Sequence, residues 1–170
     1  YMQIHNIENT PFRTKFEDEV NEMSGTAGIG VISDTDPQPL LVRSHLGMFA
    51  ISNIGIINNA EDIIEKTFAA PGHYFMAMSS GKVNDSELIA ALINRCSTLV
   101  EGIKYVQQVI EGSCTIMLLT EDGIIVARDK WGRLPIVIGQ NENGCCAAME
   151  SFACQKLGYV PCYNLGPGEI

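Results

Sequence analysis

Cys114-Thr115-Ile116-Met117-Leu118-Leu119, then Glu121-Asp122-Gly123, then Ile124-Ile125-Val126-Ala127 is the stretch whose reading decides the fold. Two apolar runs of strand length flank an Asp-Gly pair, which is among the strongest short-range hairpin signals. The pattern repeats downstream. Leu134 to Ile138 is apolar, Asn143-Gly144 makes a turn, and Cys145 to Met149 is apolar again. Together these runs predict an antiparallel meander. None alternates apolar with polar residues, so both faces of the sheet are expected to be covered. A sheet packed on a second sheet by one face and on helices by the other reads this way.

Outward from the meander, helical and extended segments mix. Phe12, Phe16, Val20 and Met23 recur at helical spacing among charges, which predicts a helix over 12–23. Gly25 to Gly30 ends it and opens a strand over Ile29–Ile32, followed by a loop from Ser33 to Pro39. Leu40–Val42 and Met48–Ser52 read as strands across a Ser44–Gly47 turn. Asn59–Phe68 reads as a short helix with Asn58 or Asn59 as its cap and acids in its first turn. Pro71-Gly72 breaks that helix, and His73–Met78 reads as another strand. Asn84 caps a helix to Asn94, with Glu87 near the capping-box position. Helices over Leu99–Ile110 and Ser151–Leu157 and a short last strand complete an α+β pattern.

Composition bounds the function. With 170 residues, 46% hydrophobic and 18% charged, the chain reads as one globular domain with a substantial core. No apolar run has the length of a membrane span, and no basic-then-apolar leading segment suggests secretion. The formal charge of -9 argues against nucleic acid or an anionic membrane as partner, since either needs Lys and Arg to neutralise phosphates. The cysteines (Cys96, Cys114, Cys145, Cys146, Cys154 and Cys162) include no Cys-x-x-Cys pair, against a zinc ribbon or dithiol redox motif. Cys114, Cys145 and Cys146 lie inside apolar runs, where a free thiol packs as a small hydrophobe. Buried, reduced thiols in a cytoplasmic protein are expected. His5, His45 and His73 are scattered, with no ligand spacing for a metal.

Several short motifs occur in order. They are Gly28-Ile29-Gly30, Gln38-Pro39-Leu40, Gly55 with Asn59-Ala60-Glu61, and Asn84-Asp85-Ser86-Glu87-Leu88-Ile89. Ala127-Arg128-Asp129, Gly132-Arg133-Leu134-Pro135, Glu150-Ser151-Phe152-Ala153 and Leu165-Gly166-Pro167-Gly168-Glu169-Ile170 follow. At this spacing they resemble the class II glutamine amidotransferase domain, in particular the glutaminase domain of amidophosphoribosyltransferases, over residues 25–170. The resemblance implies a single domain over 1–170 with the four-layer αββα sandwich of the amino-terminal nucleophile hydrolases, short of its first strands. It implies a parent of purine biosynthesis that transfers glutamine-derived ammonia to phosphoribosyl pyrophosphate. It also implies a phosphoribosyltransferase domain outside this chain, homo-oligomers, and no cofactor within the chain.

Family members attack the glutamine amide with an amino-terminal Cys whose own α-amine can act as the base. The sequence opens Tyr1-Met2-Gln3 and has no Cys before Cys96, so no catalytic nucleophile is assigned. The family Arg that holds the substrate α-carboxylate aligns with Ser33, flanked by Ile32 and Asp34, with Arg43 on the next strand. In the oxyanion motif His-Asn-Gly-Asn the aligned residues are Asn53-Ile54-Gly55-Ile56. Gly55 is kept, and Ile54 replaces the Asn donor, whose loss typically costs roughly a hundred- to a thousand-fold in rate. Asn53 is a poor substitute, because neighbours on a strand face opposite ways. Asp85 matches the carboxylate that binds the substrate ammonium, and an acid in a helix's first turn also suits the backbone dipole. A small cleft is expected at Asp85 and Gly55, with Ile54 and Ser33 at its walls and hardly any affinity for glutamine. Arg128, Asp129 and Arg133 read as a turn stabilised by an ion pair. The expectation is a glutaminase domain with its activity absent or severely impaired, against the alternative of a non-catalytic scaffold for an ammonia-using synthase.

Overall fold

The computed structural model describes residues 1–69 and 82–170; the break at Pro71-Gly72 and the strand at His73–Met78 lie outside the described residues. Helix α1 spans Phe12–Glu22. Strands β1 (Leu40–Ser44) and β2 (Gly47–Ile57) form a hairpin, and α2 (Ala60–Phe68), α3 (Asp85–Ile93) and α4 (Leu99–Val109) follow. Strands β3 (Gly112–Thr120), β4 (Gly123–Ala127), β5 (Val137–Asn141) and β6 (Gly144–Ala148), helix α5 (Ser151–Lys156) and β7 (Val160–Asn164) complete the order. The strands form two antiparallel sheets, one ordered β1-β2-β3-β4 and one ordered β6-β5-β7. The α+β expectation is met.

Helices α3 and α4 cover the first sheet because their apolar positions recur every three to four residues. Leu88, Ile89, Leu92 and Ile93 of α3 and Ile103 and Val106 of α4 are buried, and so are Phe49, Ile51, Ile116 and Leu118 of the sheet. Ile51 pairs with Leu118, so these side chains share one face. Each fully buried residue of this size contributes about 1.5–3 kcal/mol, which makes this layer the main source of stability. Asn84 accepts the Ser86 N–H at 2.8 Å and Thr98 accepts the Glu101 N–H at 3.1 Å, capping α3 and α4. At α2 the N-cap Asn59 spends its side chain elsewhere, donating to the Val109 carbonyl and accepting the Glu111 N–H, both at 2.9 Å.

The sheet's other face is less covered than the continuous apolar pattern predicts. Ile56, on the face opposite Asn53 and Ile51, is 64% exposed. Helix α1 buries no residue. Its apolar spacing serves a local cluster instead, in which Phe12 stacks on Phe16, the His5 ring meets Phe16 edge-on, and His5 Nε2 contacts the Glu19 carboxylate at 2.6 Å.

Five expectations need correction. The meander is divided between two sheets, with β3-β4 in the first and β5-β6 in the second. The apolar run at Leu134 does not start a strand, because the Leu134 carbonyl accepts from Arg128 and Pro135 has no N–H for a ladder. The strand over Ile29–Ile32 is absent; that segment has no ladder partner among the described residues, and Ile32 is exposed. Arg128 and Asp129 form no ion pair. The guanidinium donates to the carbonyls of Leu134, Leu165 and Gly132 at 2.8, 2.6 and 2.6 Å, while the buried Asp129 carboxylate accepts the N–H groups of Trp131 and Arg133. All six thiols are free, but only Cys114 and Cys154 are buried; Cys145 and Cys162 are exposed.

Candidate functional site

Four sequence-predicted positions lie on three segments: Ser33 on the loop before β1, Ile54 and Gly55 on β2, and Asp85 at the start of α3. One side chain that sequence reasoning did not single out joins these segments. Gln38 Oε1 accepts the backbone N–H of Asn53 at 2.8 Å and faces the Ser86 hydroxyl at 3.1 Å, while its Nε2 donates to Ser33 Oγ at 3.3 Å. The Ser86 hydroxyl also lies against Asn53 Oδ1. Asn84 Nδ2 donates to the Pro37 carbonyl at 3.0 Å, so the cap of α3 holds the same loop. Asn53, Asn84 and Ser86 are buried, and buried amides and hydroxyls persist only when hydrogen-bonded in this way. The available signal was the Gln38-Pro39-Leu40 motif, which carries no obvious chemistry of its own.

Asn53 and Ile54 point to opposite faces, as strand alternation requires. Asn53 turns toward α3 through Ser86, and Ile54 turns away with Ile56. Gly55 has a packing requirement of its own. Its φ is 158°, and a Cβ there would lie 2.0 Å from the Ser113 carbonyl oxygen.

Asp85 is only partly buried, and its backbone N–H donates to the Asp36 carboxylate at 3.1 Å. Burial, and then the like charge of Asp36, hold the Asp85 carboxyl above its ordinary value of 3.8. Such a pair favours a bound cation or a proton. The stabilising effect of protonating Asp85 is complete below 3.8 and is lost as pH rises through the raised folded value. Wild type is therefore expected to gain melting temperature over Asp85→Asn as pH falls toward 4; parallel melting curves from pH 7 to 4 would refute this.

Cys114 pairs with Gly55 across β2 and β3. Burial, with the Asp85 and Asp129 carboxylates nearby, pushes this thiol far above its ordinary value. It stays protonated and is no nucleophile. A groove on the surface lies away from the positions expected to form a cleft. That groove, about 400 Å³, lies at the hairpin turns and is lined by Leu46, Met48, Leu99, Glu121, Asp122 and Ile124 among others. Among the described residues, no helix is long and apolar enough to cross a membrane.

Residues 26–154 match the family model described as "Glutamine amidotransferase domain". The amidophosphoribosyltransferase of Methanocaldococcus jannaschii is 30% identical over 137 residues, covering 78% of this chain and 28% of that protein. That of Bacillus subtilis is 31% identical over 148 residues, covering 85% and 29%. The solved glutamine phosphoribosylpyrophosphate amidotransferase of B. subtilis superposes with a TM-score of 0.66 at 30% identity, over 76% of this chain and 28% of that one. The chain thus spans under three tenths of the length of these relatives. It belongs to the class II glutamine amidotransferase domain family, similar to that of the amidophosphoribosyltransferases, and has the fold of the amino-terminal nucleophile hydrolases.

Proposed function

We propose that this chain is the glutaminase-like domain of a cytoplasmic amidophosphoribosyltransferase-type protein of purine biosynthesis, and that it does not itself hydrolyse glutamine. The parent reaction is transfer of ammonia to phosphoribosyl pyrophosphate, carried out by a phosphoribosyltransferase domain against which this one packs in a homo-oligomer. The observation that carries the proposal is Ile54. An apolar side chain stands beside Gly55 where the family places the amide that stabilises the tetrahedral oxyanion, and it cannot donate a hydrogen bond. Ser33 supports the same reading. Its hydroxyl meets Thr35 and Gln38 and has neither the charge nor the reach to hold a carboxylate as a guanidinium fork does. The Asp36–Asp85 pair is what is left of the substrate pocket, an ammonium anchor without its carboxylate partner.

The same observations favour a pseudo-glutaminase that serves as scaffold or regulator for an ammonia-using synthase. The test is nitrogen-source dependence in the full-length protein. Ammonium is expected to support phosphoribosylamine formation, and glutamine to release no ammonia. Titration calorimetry of this domain with glutamine is expected to show no saturable binding in the millimolar range, because each missing charge-assisted bond removes roughly 1.5–3 kcal/mol. Saturable binding abolished by Asp85→Ala, or ammonia release from glutamine, would overturn the proposal.

A further inference from the structure

The second sheet carries a pair of thiols that the amidotransferase reading does not use. Cys146 lies on β6 and Cys154 on α5, and Cys146 pairs with Gly139 of β5 beneath that helix. Gly139 on β5 makes the space for them. A Cβ added at Gly139 would lie 3.0 Å from Cys146 Sγ and 3.0 Å from Cys154 Cβ, so both sulfur-bearing groups converge on one point. Two points each 3.0 Å from a third are at most about 6 Å apart, so Cys146 Sγ lies within side-chain reach of Cys154, the proximity that a disulfide needs. Accessibility divides the pair. Cys146 is partly exposed and can meet an oxidant, whereas Cys154 is 1% exposed and is the buried residue of α5.

We propose that Cys146 and Cys154 form an oxidant-driven disulfide, with Cys146 as the residue attacked first and Cys154 as the resolving thiol. The oxidant is a hydroperoxide. The Cys146 thiolate attacks one peroxide oxygen, an S–O bond forms as the O–O bond breaks, and the departing hydroxide or alkoxide leaves with a proton as water or an alcohol. Cys154 sulfur then attacks the Cys146 sulfenic sulfur. An S–S bond forms, the S–O bond breaks, and the Cys154 proton leaves with the hydroxide as water. Two electrons pass from the two sulfurs to the peroxide. The product ties α5 to β6 across the turn at Met149-Glu150 and leaves the first sheet untouched.

Partial burial and the Cys154 thiol push the Cys146 thiol up to about 11, against a lowering by the Gly139 backbone. The reacting thiolate is therefore scarce at neutral pH, and the bond forms slowly there. Its formation is expected to accelerate about tenfold per pH unit between pH 7 and 10, because only the thiolate attacks.

The 170-residue chain, treated with hydrogen peroxide over that range, quenched by alkylation and digested, is expected to yield a cross-linked peptide pair carrying Cys146 and Cys154 and lacking two hydrogens. The product should migrate as a single chain without reductant, and Cys146→Ser should leave Cys154 open to alkylation after unfolding. Three outcomes would overturn the proposal: Cys146 and Cys154 both alkylated after treatment, a cross-link from either to Cys145 or Cys162, or a bond between chains. The readout is a mapped bond in the wild-type chain, so it does not depend on any variant folding.

Discussion

Gly55→Ala is expected to lower the melting temperature by about 10 °C. The new methyl group would stand 2.0 Å from the Ser113 carbonyl oxygen and 2.6 Å from its carbon. Neither can swing aside, since both belong to the β3 backbone paired with β2 from Phe49↔Thr120 to Ile57↔Gly112. The backbone at Gly55 also sits at a φ of 158°, at the edge of the region that side chains avoid. Overpacking against backbone together with this conformational strain costs about 3 kcal/mol. For a chain of this size that is a drop of roughly 10 °C. Gly28→Ala is the control, because nothing lies within 4 Å of a Cβ there. If Gly55→Ala and Gly28→Ala melt together by circular dichroism, the close approach of β2 to β3 is not as described. The retained glycine thus has a reason independent of catalysis. It holds the central ladder together whether or not the neighbouring position can stabilise an oxyanion.

The hairpin at Gly123 was legible because its information is local. A turn signal between two apolar runs needs only the flanking residues to define a hairpin, and the loop is Glu121-Asp122, with Gly123 already paired to Thr120 as the first residue of β4. The cap at Asn84 sits two residues from the Ser86 N–H that it accepts. The split of the meander was not legible, since Leu134-Pro135-Ile136 has the composition of a strand and what stops it is a guanidinium arriving from Arg128. The polar hub was hidden for a related reason. Gln38 meets Asn53 and Ser86, 15 and 48 residues further on, and no periodicity records such a meeting. Ser33 and Ile54 could be singled out as proposed pocket positions only through the family pattern. Chain chemistry alone reads an Ile on a strand as packing.

Arg128→Met is expected to cost about 3 kcal/mol and to loosen the carboxy-terminal segment first. The guanidinium donates to three carbonyls, those of Gly132, Leu134 and Leu165, and the Arg128 N–H donates to the Glu169 carbonyl at 3.0 Å. Charge-assisted bonds of this kind are worth roughly 1.5–3 kcal/mol each, and water recovers part of the sum because the site is only partly buried. Met keeps the unbranched stem out to the place of Nε and offers no donor. Lys keeps the charge but not the planar fork, so Arg128→Lys should fall between Met and wild type. Hydrogen exchange decides the matter. The amides of Leu165 and Gly168, which donate to Ile136 and Asp129, are expected to lose protection in Arg128→Met before those of β2 and β3. Uniform loss across the chain, or none, would count against the clamp.

The pairing of Ile57 with Gly112 has a kinetic consequence. Strands β1 with β2, and β3 with β4, can each close as a hairpin within microseconds, since their partners are sequence neighbours. The ladder between β2 and β3 cannot, because α2, α3 and α4 lie between its first paired residues. Bringing those ends together costs on the order of 3–4 kcal/mol of chain entropy before any bond of the ladder forms. Asn59, which bridges the end of α4 and the residue before β3, can latch the crossing only once both ends have arrived. The rate-limiting event of folding is then expected to be the meeting of the two hairpins under the α3–α4 pair, on the millisecond-to-second scale of folds rich in distant contacts. Until that meeting, Ile51, Ile116 and Leu118, all buried in the finished sheet, face water. That interval is when the chain is most exposed to aggregation.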